Sequence, residues 1–377
     1  MILRLKKLLS NCITGNKIFV TFRLPEKNSF QTIIQKKPEI SFLESLDNID
    51  NESGFIFSPF HDNKINKTVL IKPDIIFKNN DFSDGFIDDF SENTNANFIN
   101  ENFDENIFSI SKENYLKQCQ KMIDEIKNGS FQKAILSRIK LVEKSSNFDS
   151  VSLFFALAEK YPDAFVYLIN LPSLGTWIGA SPETLINISE GKAKTIALAG
   201  TQKNSGQRLN DVFWEEKEIE EQKFVSDYIR NIFNKLNIID YQQSKTHTLN
   251  AGNVFHLQTN FEFNSEKIQN KLGKFIKELH PTPAVCGTPR ESSFNYILKN
   301  ENHNREYYSG FLGPLNINNT TSLFVNLRCM KVLSEKLALF VGGGIIKDSI
   351  PEREWEETCH KSKTLLSVIE NLPNFAQ

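Results

Sequence analysis

The stretch 341–363 constrains this chain most: three consecutive glycines, Gly342, Gly343 and Gly344, run into a helical pattern carrying Glu354, Glu357 and Lys361. Residues without a Cβ let another group come close to backbone N–H donors. Helical spacing sets Glu354 and Glu357 on one face, with Lys361 one turn beyond Glu357. The segment is thus suited to holding a carboxylate, and its glutamate oxygens suit Mg2+. The same letters also describe a tight turn before a solvated amphipathic helix, and taken alone they do not choose.

With 377 residues and a formal net charge of −2, the chain is long enough for one large domain or two ordinary ones, and no basic stripe points to nucleic acid. Cys12, Cys119, Cys286, Cys329 and Cys359 are scattered without a CxxC pair. That argues against a disulfide framework or zinc site and for a reducing, cytoplasmic setting. The basic, apolar start meets Ser10, Asn11 and Asn16 before a signal-type region develops, and no apolar run reaches membrane-span length.

Residues 79–111 are rich in Asn, Asp and Phe and lack Lys and Arg, which reads as a solvated, poorly determined segment at the end of an N-terminal part (1–111), whose strands are expected to complete the fold of a core (112–372) instead of forming a separate domain. Strands are predicted at 17–23 and 54–60. A helix is predicted at 114–128, with Leu116, Cys119, Met122, Ile123 and Ile126 on one stripe and Gly129 as its stop. In a strand at 132–142, alternation puts Lys133 on the face of Ile135, Ile139 and Leu141. Its ammonium then either points into an apolar layer, where burial lowers its pKa and makes a base of it, or snorkels to water from the strand end.

Further strands are predicted at 164–170, 176–180, 184–188 and 192–198. Pro182 breaks the chain between the second and third, so Glu183 projects from a short bend, into a site or into solvent. Beyond Gly200 and Thr201, a helix predicted at 213–236 carries Glu218 and Glu221, again three apart. If the two Glu-x-x-Glu faces converge, four carboxylates repel one another unless a cation sits between them. If they do not converge, both are solvated faces with internal ion pairs.

Several blocks together carry a resemblance. They are Gly-Ser-Phe-Gln-Lys-Ala-Ile-Leu-Ser-Arg at 129–138, Gly-Ala-Ser-Pro-Glu-Thr-Leu at 179–185, Leu-Ala-Gly-Thr at 198–201, His-Pro-Thr-Pro-Ala-Val-Cys-Gly-Thr-Pro at 280–289, Arg-Glu-Tyr-Tyr-Ser-Gly at 305–310, Asn-Leu-Arg-Cys at 326–329, and the C-terminal glycine-helix block. In content and order they resemble the chorismate-utilising enzymes over roughly 112–372. The resemblance implies an α+β fold, a single large two-layer sandwich of antiparallel β-sheets flanked by helices, with Mg2+ as cofactor and chorismate as substrate.

Ammonia-using members have glutamine where this chain has Lys133, and aminodeoxychorismate synthases of the common type have a nucleophilic lysine where this chain has Ala199. Isochorismate and salicylate synthases, which add water, have lysine at the first of these positions. The resemblance therefore implies isochorismate synthase, with salicylate synthase as the alternative and no amidotransferase subunit. It implies Lys133 as general base and Glu183 as general acid, roles that ask for a lowered pKa at the lysine and a raised one at the glutamate. It further implies Glu221 and Glu357 as Mg2+ ligands, with Glu218 and Glu354 holding metal-bound waters. Gly200 and Thr201 contact the ring carboxylate, His256 lies near the ring, and Tyr308, Arg328, Lys361 and the backbone at Gly342 and Gly344 receive the pyruvyl carboxylate. Relatives of this kind are commonly monomers. One departure is the run Glu216-Lys-Glu-Ile219, where the family usually has an arginine. Asp227, Arg230 and Asn231 keep the helix in register with the family. His280 is expected to shape its loop, and Cys286 and Cys329 to be small buried fillers.

Overall fold

Alternating and continuous apolar runs fold into two nine-stranded sheets in the computed structural model, which describes residues 2–83, 86, 107–250 and 254–372. The strands are β1 (Ile18–Arg23), β2 (Phe30–Gln35), β3 (Gly54–Ser58), β4 (Val69–Ile71), β5 (Ile75–Lys78), β6 (Lys133–Glu143), β7 (Phe165–Leu171), β8 (Gly175–Ser181) and β9 (Thr184–Ser189). They continue as β10 (Lys192–Lys203), β11 (Tyr241–Gln243), β12 (His247–Asn250), β13 (Val254–Asn264), β14 (Gly287–Thr288), β15 (Phe311–Leu315), β16 (Thr321–Val325), β17 (Cys329–Val332) and β18 (Lys336–Ile346). The helices are α1 (Ile2–Thr14), α2 (Lys112–Lys127), α3 (Ser150–Lys160), α4 (Glu216–Lys235), α5 (Leu272–Leu279), α6 (Arg290–Asn300) and α7 (Pro351–Ile369).

The first sheet runs β14-β6-β18-β17-β8-β7-β1-β2-β5, and the second β11-β13-β10-β9-β16-β15-β3-β4, with β12 beside β13. The paired strands are antiparallel throughout. The N-terminal strands extend both sheets: β1, β2 and β5 lie next to β7, and β3 and β4 next to β15. Two of the short passages between sheets lie side by side. The chain leaves the first sheet for the second between β8 and β9, at Pro182 and Glu183, and returns between β16 and β17, at Asn326, Leu327 and Arg328. Val325 N donates to Glu183 O at 2.9 Å, and Ala180 N to Arg328 O at 3.1 Å.

Apolar side chains of both sheets meet in the middle, where Phe165 stacks on Phe324 (4.2 Å between centroids) and Phe57 on Tyr307 (4.0 Å). Helices α1, α3 and α7 cover the outer face of the first sheet, and α4 and α5 that of the second. Strand β7 is therefore buried on both faces, which is why Phe-Val-Tyr-Leu-Ile-Asn-Leu reads as one apolar run without alternation.

Three readings change. The triple glycine is no turn: it lies inside β18, paired residue for residue with β6, because the ladder outweighs glycine's poor strand propensity. Helix α4 begins at Glu216, not 213, since Gln202 Nε2 holds Phe213 O at 2.8 Å and Trp214 Nε1 donates to Thr248 Oγ1 at 2.9 Å. The N-terminal residues form α1, burying Leu5, Leu8, Leu9 and Cys12, a helical spacing present in the sequence but not read there as a helix. Most of the acidic connection at 79–111 lies outside the described residues.

Candidate active site

Lys133 is the first residue of β6, at the end of the strand. Its side chain is 28% exposed and does not enter an apolar layer; Nζ lies 3.6 Å from Glu221 Oε1 on α4. The glycines of β18 make room for it. A Cβ on Gly344 would come within 2.8 Å of Lys133 Cε, and one on Gly342 within 2.9 Å of Tyr308 Oη. Gly343 faces the other way, toward the carboxylates of Glu357 and Glu354, which a Cβ there would meet at 3.5 and 3.6 Å. The glycine run is thus a place where three side-chain groups press on a strand.

Helix α7 is firmly held. Glu354 Oε1 accepts from Ser349 Oγ at 2.6 Å, Trp355 packs edge-on against Tyr115, and the buried Arg138 lies over Trp355 at 4.0 Å while its Nε donates to Thr358 Oγ1 at 2.8 Å. Lys361 Nζ lies 2.5 Å from Glu357 Oε1 and donates to Gly342 O at 2.9 Å. Burial lowers the pKa of Lys361, an effect Glu357 opposes and Arg328 reinforces. Burial raises that of Glu354, with Ser349 opposing and the like charge of Glu357 adding to it.

On the second sheet, the β10 and β13 ladder shifts register between Ala199 and Thr201, so Gly200 is the extra residue of a β-bulge with φ +69°. A Cβ there would lie 3.1 Å from both Cβ and O of Glu218. His256 on β13 places Nδ1 3.2 Å from Gly200 O and 3.0 Å from Thr201 Oγ1. Burial is the main cause of its lowered pKa, so the ring is neutral at pH 7. A carbonyl only accepts, so Nδ1 carries the proton and Nε2 remains an acceptor.

Glu183, at the passage between sheets, is half-buried and accepts a 3.4 Å hydrogen bond from Thr282 Oγ1. It borders a small cavity of about 20 Å³ whose lining includes Leu185, Thr195, Val225, Tyr228 and Ile229. Desolvation pushes its pKa up to about 7, against the opposing effects of Thr282 and of the Lys133 charge. Arg328, at the adjacent passage, has φ +49°, a strained conformation for a non-glycine residue. Its Nη1 donates to Lys361 O (3.1 Å) and Thr364 Oγ1 (3.3 Å). Burial lowers its pKa, with Tyr308 and Glu357 acting against that.

The residues expected from sequence therefore come together around one region: Lys133 with Glu221, Gly200 with Glu218, His256 with Gly200 and Thr201, Gly342 with Tyr308 and Lys361, Lys361 with Glu357, and Arg328 with the backbone of α7. The carboxylates stand as two pairs, one on each helix. Among the described residues no group of three or more His, Cys, Asp or Glu side chains is gathered closely enough to hold a metal ion. The chemistry of the set nevertheless fits a hard divalent cation. All the donors are carboxylate oxygens, and Glu218 Oε2 is buried without a hydrogen-bond partner among the described residues. Cys286 and Cys329 are buried, as is His280, whose ring nitrogens have no hydrogen-bond partner among the described residues. Sequence reasoning missed Thr282 as the neighbour of Glu183, and Ser349 and Arg138 as supports of α7. No local signal marks them, because each partner is distant in sequence.

Comparison with known proteins gives the same picture. Residues 76–370 match the family model described as chorismate binding enzyme. The vibriobactin-specific isochorismate synthase of Vibrio cholerae is 27% identical over 268 residues, 70% of this chain and 68% of that protein. The isochorismate synthase EntC of Escherichia coli is 28% identical over 242 residues, 63% of this chain and 62% of EntC, so the match spans less than two thirds of that relative. Anthranilate synthase component 1 of Acetivibrio thermocellus is 27% identical over 270 residues, 70% of this chain and 54% of the relative. In fold, the chain is similar to MenF, the menaquinone-specific isochorismate synthase of Escherichia coli, with TM-score 0.74, 18% identity and coverage of 93% of this chain and 88% of that one. With matching motifs, two antiparallel sheets and a family match over most of its length, the chain belongs to the chorismate binding enzyme family.

Proposed function

We propose that this chain is an isochorismate synthase, converting chorismate to isochorismate by water attack at C2 and loss of the C4 hydroxyl. The observation that carries this reading is the pairing of a lysine, not a glutamine, at position 133 with a Glu183 whose proton is retained up to about pH 7. Members of the family that use ammonia resemble one another in having glutamine there, while a lysine base and a protonated carboxylic acid in one site suit addition of water with departure of hydroxide as water. Lys133, in its neutral form, takes a proton from the attacking water. Glu183 gives its proton to the leaving C4 oxygen, so no covalent intermediate with the enzyme is needed.

His256 Nε2 accepts a hydrogen bond from the ring's hydroxyl side. Arg328 and Lys361, with Tyr308 and the β18 backbone at Gly342 and Gly344, receive the pyruvyl carboxylate, and Arg328 offers the forked geometry such a group prefers. Glu221 and Glu357 would hold Mg2+, with Glu218 and Glu354 on its waters and Gly200 and Thr201 beside the ring carboxylate. When bound, the ion supplies positive charge that anchors that carboxylate and offsets charge building on the leaving oxygen. The product is a precursor suited to menaquinone or to a catechol siderophore. We place the enzyme in the cytoplasm as a monomer without an amidotransferase subunit, a setting that the free state of Cys12, Cys119, Cys286, Cys329 and Cys359 supports.

The test is incubation of the purified chain with chorismate and Mg2+, with Lys133→Ala alongside and products separated by chromatography. Isochorismate in equilibrium with chorismate, lost in the variant and on chelation, is the expected result. Salicylate would move the assignment to the pyruvate-eliminating branch, and unchanged chorismate would end it.

A further inference from the structure

Arg305 begins one of the blocks that carry the family likeness, yet nothing in the chemistry above uses it. Its surroundings give it another task. Strand β6, which begins at Lys133, is fully paired with β18 on one side, but on the other β14 pairs with only Lys133 and Ala134. Beyond those two residues the outer edge of β6 has no strand partner among the described residues, and its backbone groups are satisfied by other means. Ile135 N donates to Cys286 O at 3.0 Å. Ile135 O accepts from Arg305 Nη2 at 2.8 Å, and Ser137 N donates to Glu301 Oε1 at 2.8 Å.

Glu301 and Arg305 are themselves a two-pronged ion pair, Nε to Oε2 at 2.7 Å and Nη2 to Oε1 at 2.6 Å, with both side chains only 3% exposed. Ser137 Oγ adds a bond to Glu301 Oε1 at 2.9 Å and lies 3.0 Å from His303 Nε2. The remaining arm of the guanidinium, Nη1, donates to Val285 O at 2.9 Å. Val285 belongs to the 280–289 loop, which also carries Thr282, the hydrogen-bond donor to Glu183. One side chain therefore ties the strand of the base to the loop that touches the acid.

We propose that the Glu301 and Arg305 pair is a positioning element for the reaction: it completes the open edge of β6 in place of a strand and fixes Lys133 relative to the Thr282 and Glu183 contact. Burial of an ion pair is a poor way to gain stability, since apolar residues of equal volume do as well. What apolar residues cannot do is satisfy Ile135 O, Val285 O and Ser137 N together. The inference rests on the function proposed above, because it assigns the pair a purpose in setting the distance between base and acid.

The experiment compares Arg305→Lys with the wild-type chain. A single ammonium keeps the charge but cannot reach both carbonyls and both carboxylate oxygens at once. The expected result is a folded protein with kcat lowered by about 10- to 100-fold, KM for chorismate within about threefold, and faster amide hydrogen exchange at Ile135 and Ser137. A folded variant with wild-type kcat would overturn the proposal, as would a loss of kcat with exchange at those amides unchanged. If Arg305→Lys does not fold, Glu301→Gln, which keeps the shape of the carboxylate, is read by the same criteria. If the wild-type chain leaves chorismate untouched, the functional reading fails separately, and amide exchange alone decides whether the pair completes the strand edge.

Discussion

Helices α4 and α7 carry the same Glu-x-x-Glu motif, yet the protein holds them very differently. In α7 the two glutamates rest over Gly343, Glu354 is bonded to Ser349, Glu357 is paired with Lys361, and Trp355 is clasped between Tyr115 and Arg138. In the first turns of α4, Ile219 is 52% exposed, Glu218 keeps a buried oxygen without a hydrogen-bond partner among the described residues, and Glu221 lies 3.6 Å from the end of Lys133. Within α4 the side chain of Gln222 anchors the helix, its Nε2 donating to Ala197 O and Thr259 Oγ1, both at 3.0 Å, while Phe213 and Trp214 hold the chain just before it. The contrast teaches that a motif specifies donor chemistry, while tertiary packing decides which half of a site is preformed. The α7 pair is tied down by a hydrogen bond, an ion pair and the ring contacts of Trp355, whereas the described contacts of the α4 pair are fewer.

The comparison can be broken most forcefully at Glu183, which lines one small cavity together with Val225, Tyr228 and Ile229 of α4. Glu183→Gln should lower kcat by about 10²- to 10⁴-fold. In the wild type, kcat/KM should fall as pH rises through about 7, where the acid loses its proton, and the Gln variant should lack that limb. The sign for stability follows from the same shift. The folded pKa lies above the ordinary 4.5, so ionisation is disfavoured in the folded state and the wild type should lose stability relative to Glu183→Gln between pH 4.5 and about 7. Parallel denaturation curves across that range would contradict the desolvated environment.

Next in size are the outer carboxylates. Glu218→Gln and Glu354→Gln should each weaken activation by Mg2+ by about 10- to 100-fold, read from rate against Mg2+ concentration. Without the ion, truncations at the same positions should part company: Glu354→Ala loses the Ser349 bond and lowers Tm, whereas Glu218→Ala removes a carboxylate whose Oε2 has no partner among the described residues and lowers it less. Equal behaviour would mean the helices are held alike. Smaller still is the glycine pair. Gly200→Ala should cost about 1–3 kcal/mol in chemical denaturation, from its positive φ and the crowding by Glu218. Gly343→Ala, with open van der Waals contacts to the α7 carboxylates, should cost less than about 1 kcal/mol. Least of all, Ile219→Ser on the exposed side of α4 should stay within about 0.5 kcal/mol. A larger loss would show that this turn is better anchored than its contacts indicate.

What was legible in the sequence were features with a local period or a fixed motif. Strands β6 to β10 and helices α2 and α4 lie within a few residues of their expected bounds, and some of the singled-out residues are neighbours in space, Lys133 with Glu221 and Lys361 with Glu357, although the two glutamate pairs do not gather into one group among the described residues. The readings that failed were those decided by partners far along the chain. Glycines at 342–344 suggest a turn by propensity, but eleven paired residues of β6 hold them in a strand. For Lys133 the alternation leaves two placements open, and it is the strand end and not the apolar layer that the structure shows, where the side chain meets Glu221, 88 positions later in the chain. Nothing local announces that Arg305 must satisfy Ile135 O, since the need arises only because β14 is two residues long.

The paired passages between the sheets have a mechanical consequence. Glu183 and Arg328 sit where the chain crosses from one layer to the other in opposite directions, stitched together by the bonds of Val325 N to Glu183 O and Ala180 N to Arg328 O. Each crossing thus takes a backbone bond from the other, and Glu183 and Arg328 share one frame although they are 145 positions apart in the chain. Thr282 on Glu183, and Arg305 between Val285 O and Ile135 O, carry that frame on to the strand that begins at Lys133. The acid, the guanidinium and the base are therefore held to a common reference made of main-chain atoms.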